Sequence, residues 1–262
     1  MFFLVQGIAF ITLCERHLLG GRQQRIGPNK VSFSGVFQPI FDGVKLIKKE
    51  QLVSVHSSWV SFIVVPGITF LVMYLEWFVI YYYYEFFTLF FGVLFFLCLI
   101  GFSVYSFLLG GVVSKSKYGF LGAVRASNQR VSYEIIFSFY IVGIIIFWGS
   151  YIFVSYFGLI FFIFLVPFFF IVLAELNRAP FDFSEGESEL VSGYNVEYGS
   201  VAYALFYMGE YGSLLFFSLL FSLIFFDYSF LIFFLFFCIL IFVISCFLEI
   251  KRIVYILYKI KY

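Results

Sequence analysis

An all-α, polytopic transmembrane helix bundle of about seven spans is the fold class this sequence predicts, and three observations predict it. The 262-residue chain is 63% hydrophobic and 12% charged, with a mean hydropathy of +1.06; a soluble domain carries roughly 45–50% apolar and about 25% charged residues. Apolar runs long enough to cross about 30 Å of hydrocarbon recur along its length. The basic residues gather in alternate connections between those runs. This composition excludes a soluble enzyme, a disordered chain and a nucleic-acid binder. The net charge of +1 carries no information about partners, because the placement of the charges matters and their sum does not.

Seven segments qualify as spans, at approximately 1–19, 59–80, 86–110, 131–150, 156–175, 201–226 and 230–249. The first is the weakest, because Glu15, Arg16 and His17 shorten its apolar length. Met1 to Leu13 has neither a basic n-region nor a small-residue cleavage site, so no signal peptide is expected. Pro167 falls inside the fifth segment, where a neighbouring helix can satisfy the carbonyl it frees. The Tyr81–Tyr84 run reads as an interfacial aromatic belt. Cys14, Cys98, Cys238 and Cys246 lie in or beside apolar runs without CxxC spacing and read as free thiols.

Alternating topology places all 16 Lys and Arg residues on one side, the loops 81–85, 151–155 and 227–229 having none. The positive-inside rule makes that side the cytoplasm or matrix. One integral membrane domain, 1–262, results, with inside loops 20–58, 111–130 and 176–200 and a short basic tail, 250–262. Within the first loop Ile40, Phe41, Val44 and Ile47 recur at helical spacing among Asp42, Lys45, Lys48 and Lys49. Pro39 suits a first helical turn. This segment is expected to be an amphipathic helix lying in the interface plane.

Nucleotide motifs are missing: no GxGxxG follows a strand, no GxxxxGK[ST] occurs, and no cysteine cluster could hold iron and sulfur. The positive signal is acid where the membrane makes acid costly. Glu210 sits nine residues into the sixth segment, roughly 14 Å along a helix at 1.5 Å per residue, with Phe206 and Tyr207 four and three residues before it, so that all three are expected to share one face. Glu134 lies in the first turn of the fourth segment, one turn after Arg130. Glu175 closes the fifth, just before Asn177 and Arg178. An ionised carboxylate at such depth must be paired, hydrated or protonated, and so marks a functional site by default. Asp182, Glu185, Glu187, Glu189 and Glu197 crowd a single inside loop. A solvated loop, or a Ser184–Glu187 capping box, would account for some of them. Crowded carboxylates also share protons, which suits a relay.

Five stretches then carry a resemblance: ERHLLGGRQQRIGPNKV (15–31), QPIFDGVKLIKKE (38–50), SKYGFLGAVRASNQRVSYE (116–134), AELNRAPFDFSEGESELVSGYNVEY (174–198) and MGEY (208–211). They resemble the subunit 1 family of proton-pumping NADH:quinone oxidoreductase, respiratory complex I, across every inside loop except the tail. The resemblance implies a subunit at the junction of a peripheral redox arm and a membrane arm, partnered by the other subunits and by lipid, with no nucleic acid. Quinone, ubiquinone or a relative, would be substrate, with nothing bound permanently by this chain; FMN and iron–sulfur clusters would belong to partner subunits. It assigns a proton relay to Asp42, Glu134, Glu175, Asp182, Glu185, Glu187, Glu189, Glu197 and Glu210. It assigns quinone binding to Arg16, Arg25, Arg125, Arg178, Phe206, Tyr207 and Met208, with no metal. The quinone tail would enter between segment one, the interfacial helix and segment six.

The chain departs from the family pattern in having fourteen residues before Glu15, and in carrying Phe247 to Arg252 where a Pro-Arg-type loop and an eighth span are expected. With 44 Phe and 20 Tyr, a bias of AT-rich genomes, the short chain points to the mitochondrial inner membrane, with basic loops in the matrix. Two competing readings are a stand-alone proton or cation transporter carrying its ion at Glu210, and a structural anchor for a peripheral enzyme. The first is disfavoured by the lack of paired inverted repeats; the second leaves the intramembrane acids unexplained.

Overall fold

The computed structural model describes residues 2–54, 57–79, 91–149, 161–178, 181–182 and 193–225. Seven α-helices fill these stretches: α1 (Phe2–Arg22), α2 (Gln38–Lys48), α3 (Trp59–Glu76), α4 (Gly92–Ser114), α5 (Lys117–Trp148), α6 (Phe161–Glu175) and α7 (Ser200–Phe225). No strand occurs among the described residues. Five helices are long and apolar enough to cross a membrane, namely α1, α3 with its following turn, α4, α5 and α7, and α6 adds a shorter apolar helix. The chain is therefore a polytopic helix bundle. The seventh expected span, 230–249, and the loops 81–85, 151–155 and 227–229 lie outside the described residues, as do the Tyr81–Tyr84 run, the basic tail, Cys238 and Cys246.

Two boundaries differ from the hydropathy reading. The first span runs on as one helix through Glu15, Arg16 and His17 to Arg22. It closes with Gln24 at φ 53°, the Arg25 N–H reaching the Gly20 carbonyl and the Gln24 N–H the Gly21 carbonyl, a Schellman stop. The inside loop expected over 111–130 is mostly helix. Only Lys115 and Ser116 separate α4 from α5: Lys115 caps α4 at φ 54°, and the Ser116 side chain accepts from the Gly119 N–H, starting α5 at Lys117. Hydropathy misses this turn of chain because Lys117, Arg125 and Arg130 dilute the apolar run without interrupting the helix.

Helix α2 forms as the periodicity predicts, with Pro39 in its first turn and no buried residue. Its stripe of Ile40, Phe41, Val44 and Ile47 is exposed, and it packs on α1 and α7. Without a hydrophobic force between helices in lipid, the bundle depends on close packing and polar links. Helices α4 to α7 supply an aromatic core in which Phe96, Phe137, Phe168, Phe216 and Phe221 are all fully enclosed. At the Pro167 interruption of α6 the Tyr140 hydroxyl of α5 donates to the Phe164 carbonyl, beside the carbonyl the proline frees. Close approach is set by glycine on α4 and α7: a Cβ at Gly111 would collide with the Ala123 methyl and lie 3.0 Å from the Gly119 carbonyl.

Candidate functional site

Among the described residues, two clusters of charged groups lie on either side of α7. The first joins α1, α2, α7 and the turn after α6. That turn is another Schellman stop: Asn177 takes φ 49°, the Arg178 N–H reaches the Leu173 carbonyl and the Asn177 N–H reaches that of Ala174. Arg178 is thereby aimed back at α7, its guanidinium 4.7 Å above the centre of the Tyr211 ring and 3.5 Å from a Glu15 carboxylate oxygen. The Tyr211 hydroxyl donates to the other Glu15 oxygen at 2.6 Å. Burial works against the Arg178 charge, but Tyr211 and Glu15 outweigh it and hold its pKa above the ordinary arginine value. Next to this group Arg16 pairs with Asp42 of α2 at 2.8 Å, and Gln38 donates to the second Asp42 oxygen. The rings of Tyr207 and Tyr211 lie 4.4 Å apart, those of Tyr203 and Tyr207 6.0 Å, as spacing of four residues on one helix dictates.

The second cluster is buried among α3, α4, α5, α6 and α7. A cavity of about 30 Å³ opens there, lined by one stripe from each of three helices: Thr69, Val72, Met73 and Glu76 of α3; Ser103, Ser106 and Phe107 of α4; Phe206, Gly209, Glu210 and Ser213 of α7. Arg130 of α5 closes it. The Arg130 guanidinium donates to the Ser103 hydroxyl at 2.8 Å and lies 4.1 Å above the Phe107 ring. It is the shared counter-charge of Glu76, Glu134 and Glu175, all within its electrostatic reach. Glu76 is 4% exposed, Arg130 8% and Glu175 2%. Glu76 Oε2, Arg130 Nε and Glu175 Oε2 make no hydrogen bond.

Of the residues singled out in the sequence, Glu134, Glu175 and Glu210 are brought together with Arg130, and Asp42, Arg16, Arg178 and Tyr207 form the other cluster. Phe206 does not flank the face that Tyr207 turns to α1. One residue of helix, about 100° of rotation, turns it into a core with Phe62 and Tyr198, its ring 4.9 Å from Tyr198. Tyr198 stacks on Phe62 and donates to the Gly110 carbonyl at 2.9 Å, and burial pushes its hydroxyl above the usual tyrosine range. Met208 is half-buried. Arg25 is exposed and donates to Gln23, while Arg125 and Glu197 are exposed and Asp182 half-buried. Glu185, Glu187 and Glu189 lie outside the described residues. Sequence reasoning misses Glu15, Tyr211 and above all Glu76. The signal for Glu76 is present, an acid inside the apolar run 59–80, the same argument that singles out Glu210.

Fold and site together define a polytopic membrane protein built around two clusters of acids and arginines, one of them with its acids Glu76 and Glu175 and its Arg130 buried. Similarity to known proteins makes the class specific. The NADH dehydrogenase family model matches residues 1–261. The chain is 42% identical over 223 residues to NADH-ubiquinone oxidoreductase chain 1 of Anopheles gambiae, covering 82% of this chain and 71% of that protein. It is 41% identical over 228 residues to the protein of that name from Metridium senile, covering 83% and 68%. Against a bacterial relative, an NADH-quinone oxidoreductase component of Rhodospirillum rubrum, the identity is 37% over 231 residues, covering 82% and 67%. The chain belongs to the NADH dehydrogenase family.

Proposed function

We propose that this chain is a core membrane subunit of an NADH:ubiquinone oxidoreductase in the mitochondrial inner membrane, its basic loops on the matrix side. In this reading it forms part of the chamber where the quinone headgroup is reduced and passes the effect of that reduction to a row of carboxylates. The names of its relatives support the overall reaction. NADH oxidation, flavin and iron–sulfur chemistry fall to partner subunits, and lipid surrounds the exposed apolar faces. Reducing a quinone to a quinol takes up two electrons and two protons, so charge appears at the headgroup until the protons arrive.

One observation carries the coupling role: α7 touches both clusters. Its Tyr211 is bonded to Glu15 and lies under Arg178, its Glu210 lines the buried cavity with Glu76, and Arg178 feels the charge of Glu210. A charge change on the α1 side therefore alters the electrostatic environment of the cavity acids, where the low dielectric amplifies it. Arg16, Arg25, Arg125 and Arg178 supply positive charge on the chamber side, and the Tyr207 ring, with Met208 next to it on α7, supplies apolar surface, whereas Phe206, enclosed with Phe62 and Tyr198, is turned away from it. Asp42, Glu134, Glu175, Asp182, Glu185, Glu187, Glu189, Glu197 and Glu210 take up and release protons.

Purification of the chain from its native membrane in mild detergent tests the first part. Inhibitor-sensitive NADH:quinone reductase activity should travel with it in a large assembly; a chain that migrates alone and moves ions by itself would favour the transporter reading. Glu210→Gln in the assembled enzyme tests the second, with a fall in quinone reduction or proton yield expected and unchanged electron entry from NADH. Wild-type values for both quinone reduction and proton yield would remove the role.

A further inference from the structure

The buried cavity contains an acid that the relay above does not use. Glu76 ends α3 and is 4% exposed, and its Oε2 makes no hydrogen bond. A carboxyl group enclosed this way, in a span, is stable only if it is protonated, paired or hydrated. No side chain bonds its Oε2, and the cavity provides for that oxygen. About 30 Å³ accommodates water, since one molecule needs roughly 10–15 Å³ by the same measure.

The lining is also chemically suited to water. Thr69, Ser103, Ser106 and Ser213 each donate their hydroxyl proton back to a backbone carbonyl three residues earlier in their own helix. Their lone pairs are what they offer to the cavity. Arg130 Nε, 8% exposed and without a partner, offers a donor. A water here can accept from Arg130 and donate to a hydroxyl oxygen and to Glu76 Oε2, within the two to four bonds a buried water makes. Water there would lie between Glu76 and Glu210, which share the cavity lining, and Glu175 is within electrostatic reach of Glu76.

We propose that Glu76 is a proton-carrying residue of this protein, exchanging protons with Glu210 through water held in the cavity by Arg130, and so joining Glu210 to the Glu134–Glu175 side of the bundle. The step balances simply: one carboxyl group loses a proton to water as water delivers one to the other, with no electron transferred. As a role in coupling, this inference rests on the function proposed above; as a statement about Glu76, it is tested separately.

The experiment is Glu76→Gln in the assembled complex, which preserves shape and removes titration. Infrared difference spectra between acidic and alkaline pH should show a carboxyl C=O band in the wild type that the variant lacks. Proton-coupled quinone reduction should fall about tenfold or more, short of the roughly hundredfold that a side chain transferring a proton in the chemical step contributes at the low end. Reduction of an artificial acceptor by NADH, upstream of the quinone, should be unchanged. A variant that keeps the full set of bands, or loses one while keeping the wild-type rate and proton yield, overturns the proposal. If the glutamine variant fails to assemble, Glu76→Asp replaces it. The band should then shift and turnover fall, and an unmoved band with wild-type turnover overturns the proposal. A wild-type assembly without reductase activity counts against the function above, whereas the infrared band tests Glu76 whatever the assembly catalyses.

Discussion

The two polar clusters flanking α7 contain the same residue types and handle them differently. On the α1 side each charge is closed: both Glu15 oxygens have partners in Tyr211 and Arg178, and both Asp42 oxygens have partners in Arg16 and Gln38. On the α3 side Arg130 is shared by three acids, and Glu76, Glu175 and Arg130 each retain an unbonded polar atom. Closed pairs fix geometry, and here they tie α1, α2 and the α6 turn to α7. An open network has spare proton-binding capacity, which its low dielectric makes responsive to any nearby charge. Fully partnered charges and unbonded polar atoms thus lie on two faces of one helix.

Arg130 is where the comparison can be broken most severely. Arg130→Met would leave Glu76, Glu134 and Glu175 without their common cation, and removing one partner of a buried ionic group costs about 3–5 kcal/mol. Loss of the assembled complex on native gels is expected. Arg130→Lys keeps the charge but loses the fork that reaches Ser103, and should assemble with lowered turnover. Equal, wild-type recovery of both variants would show that the α3 cluster is no network. Arg178→Met is the corresponding change on the closed side. It removes one partner from Glu15, but Tyr211 remains and both ends of the Arg178–Glu15 pair are partly exposed. A smaller loss of about 1–3 kcal/mol follows, read as a lower dissociation temperature of the solubilised complex. If Arg178→Met proved more damaging than Arg130→Met, the ordering of closed and open clusters would be reversed.

Much of this division is legible in the sequence, and the part that is not has a physical reason. Periodicity and hydropathy act along one chain, so they find α2 from Ile40, Phe41, Val44 and Ile47, and find Glu210 because it interrupts an apolar run. The pairing of Glu15 with Tyr211 joins positions 196 apart in the chain, and no local pattern contains it. Glu76 is within reach of the argument applied to Glu210, but its position near the end of its segment resembles a helix terminus facing water; only the packing of α3 against α4 and α7 encloses it. The start of α5 at Lys117 is hidden for the opposite reason, as charged residues on a buried or interfacial helix lower hydropathy without ending the helix. Phe206 and Tyr207 share a stretch of chain but not a face.

Ser116 offers a smaller test, of scaffold against site. Its side chain caps α5 through the Gly119 N–H, and α5 carries Arg130 and Glu134. Ser116→Ala should cost about 1 kcal/mol, seen as a modest drop in dissociation temperature, with turnover per assembled complex unchanged. A fall in turnover without a fall in stability would mean that the two-residue turn between α4 and α5 adjusts the α3-side network, and that the scaffold and the site are not separable there.

The smallest effect is expected at Arg16 and Asp42, and it refines what a closed pair means. Their side chains are 47% and 38% exposed, so water and salt screen them, and exposed ion pairs contribute typically about 0.2–1 kcal/mol. A double-mutant cycle with Arg16→Met and Asp42→Asn, read as dissociation temperature, should therefore give a coupling energy below about 1 kcal/mol that shrinks further at high salt. Activity is a separate readout of the same cycle. If Arg16 meets the quinone, as proposed, Arg16→Met should raise the quinone KM while Asp42→Asn, which leaves the arginine in place, should not. Equal KM shifts from both would mean that the pair acts only by positioning α2 against α1. In that case the closed cluster would be a clamp throughout, and every charge that responds to quinone chemistry would belong to the open side.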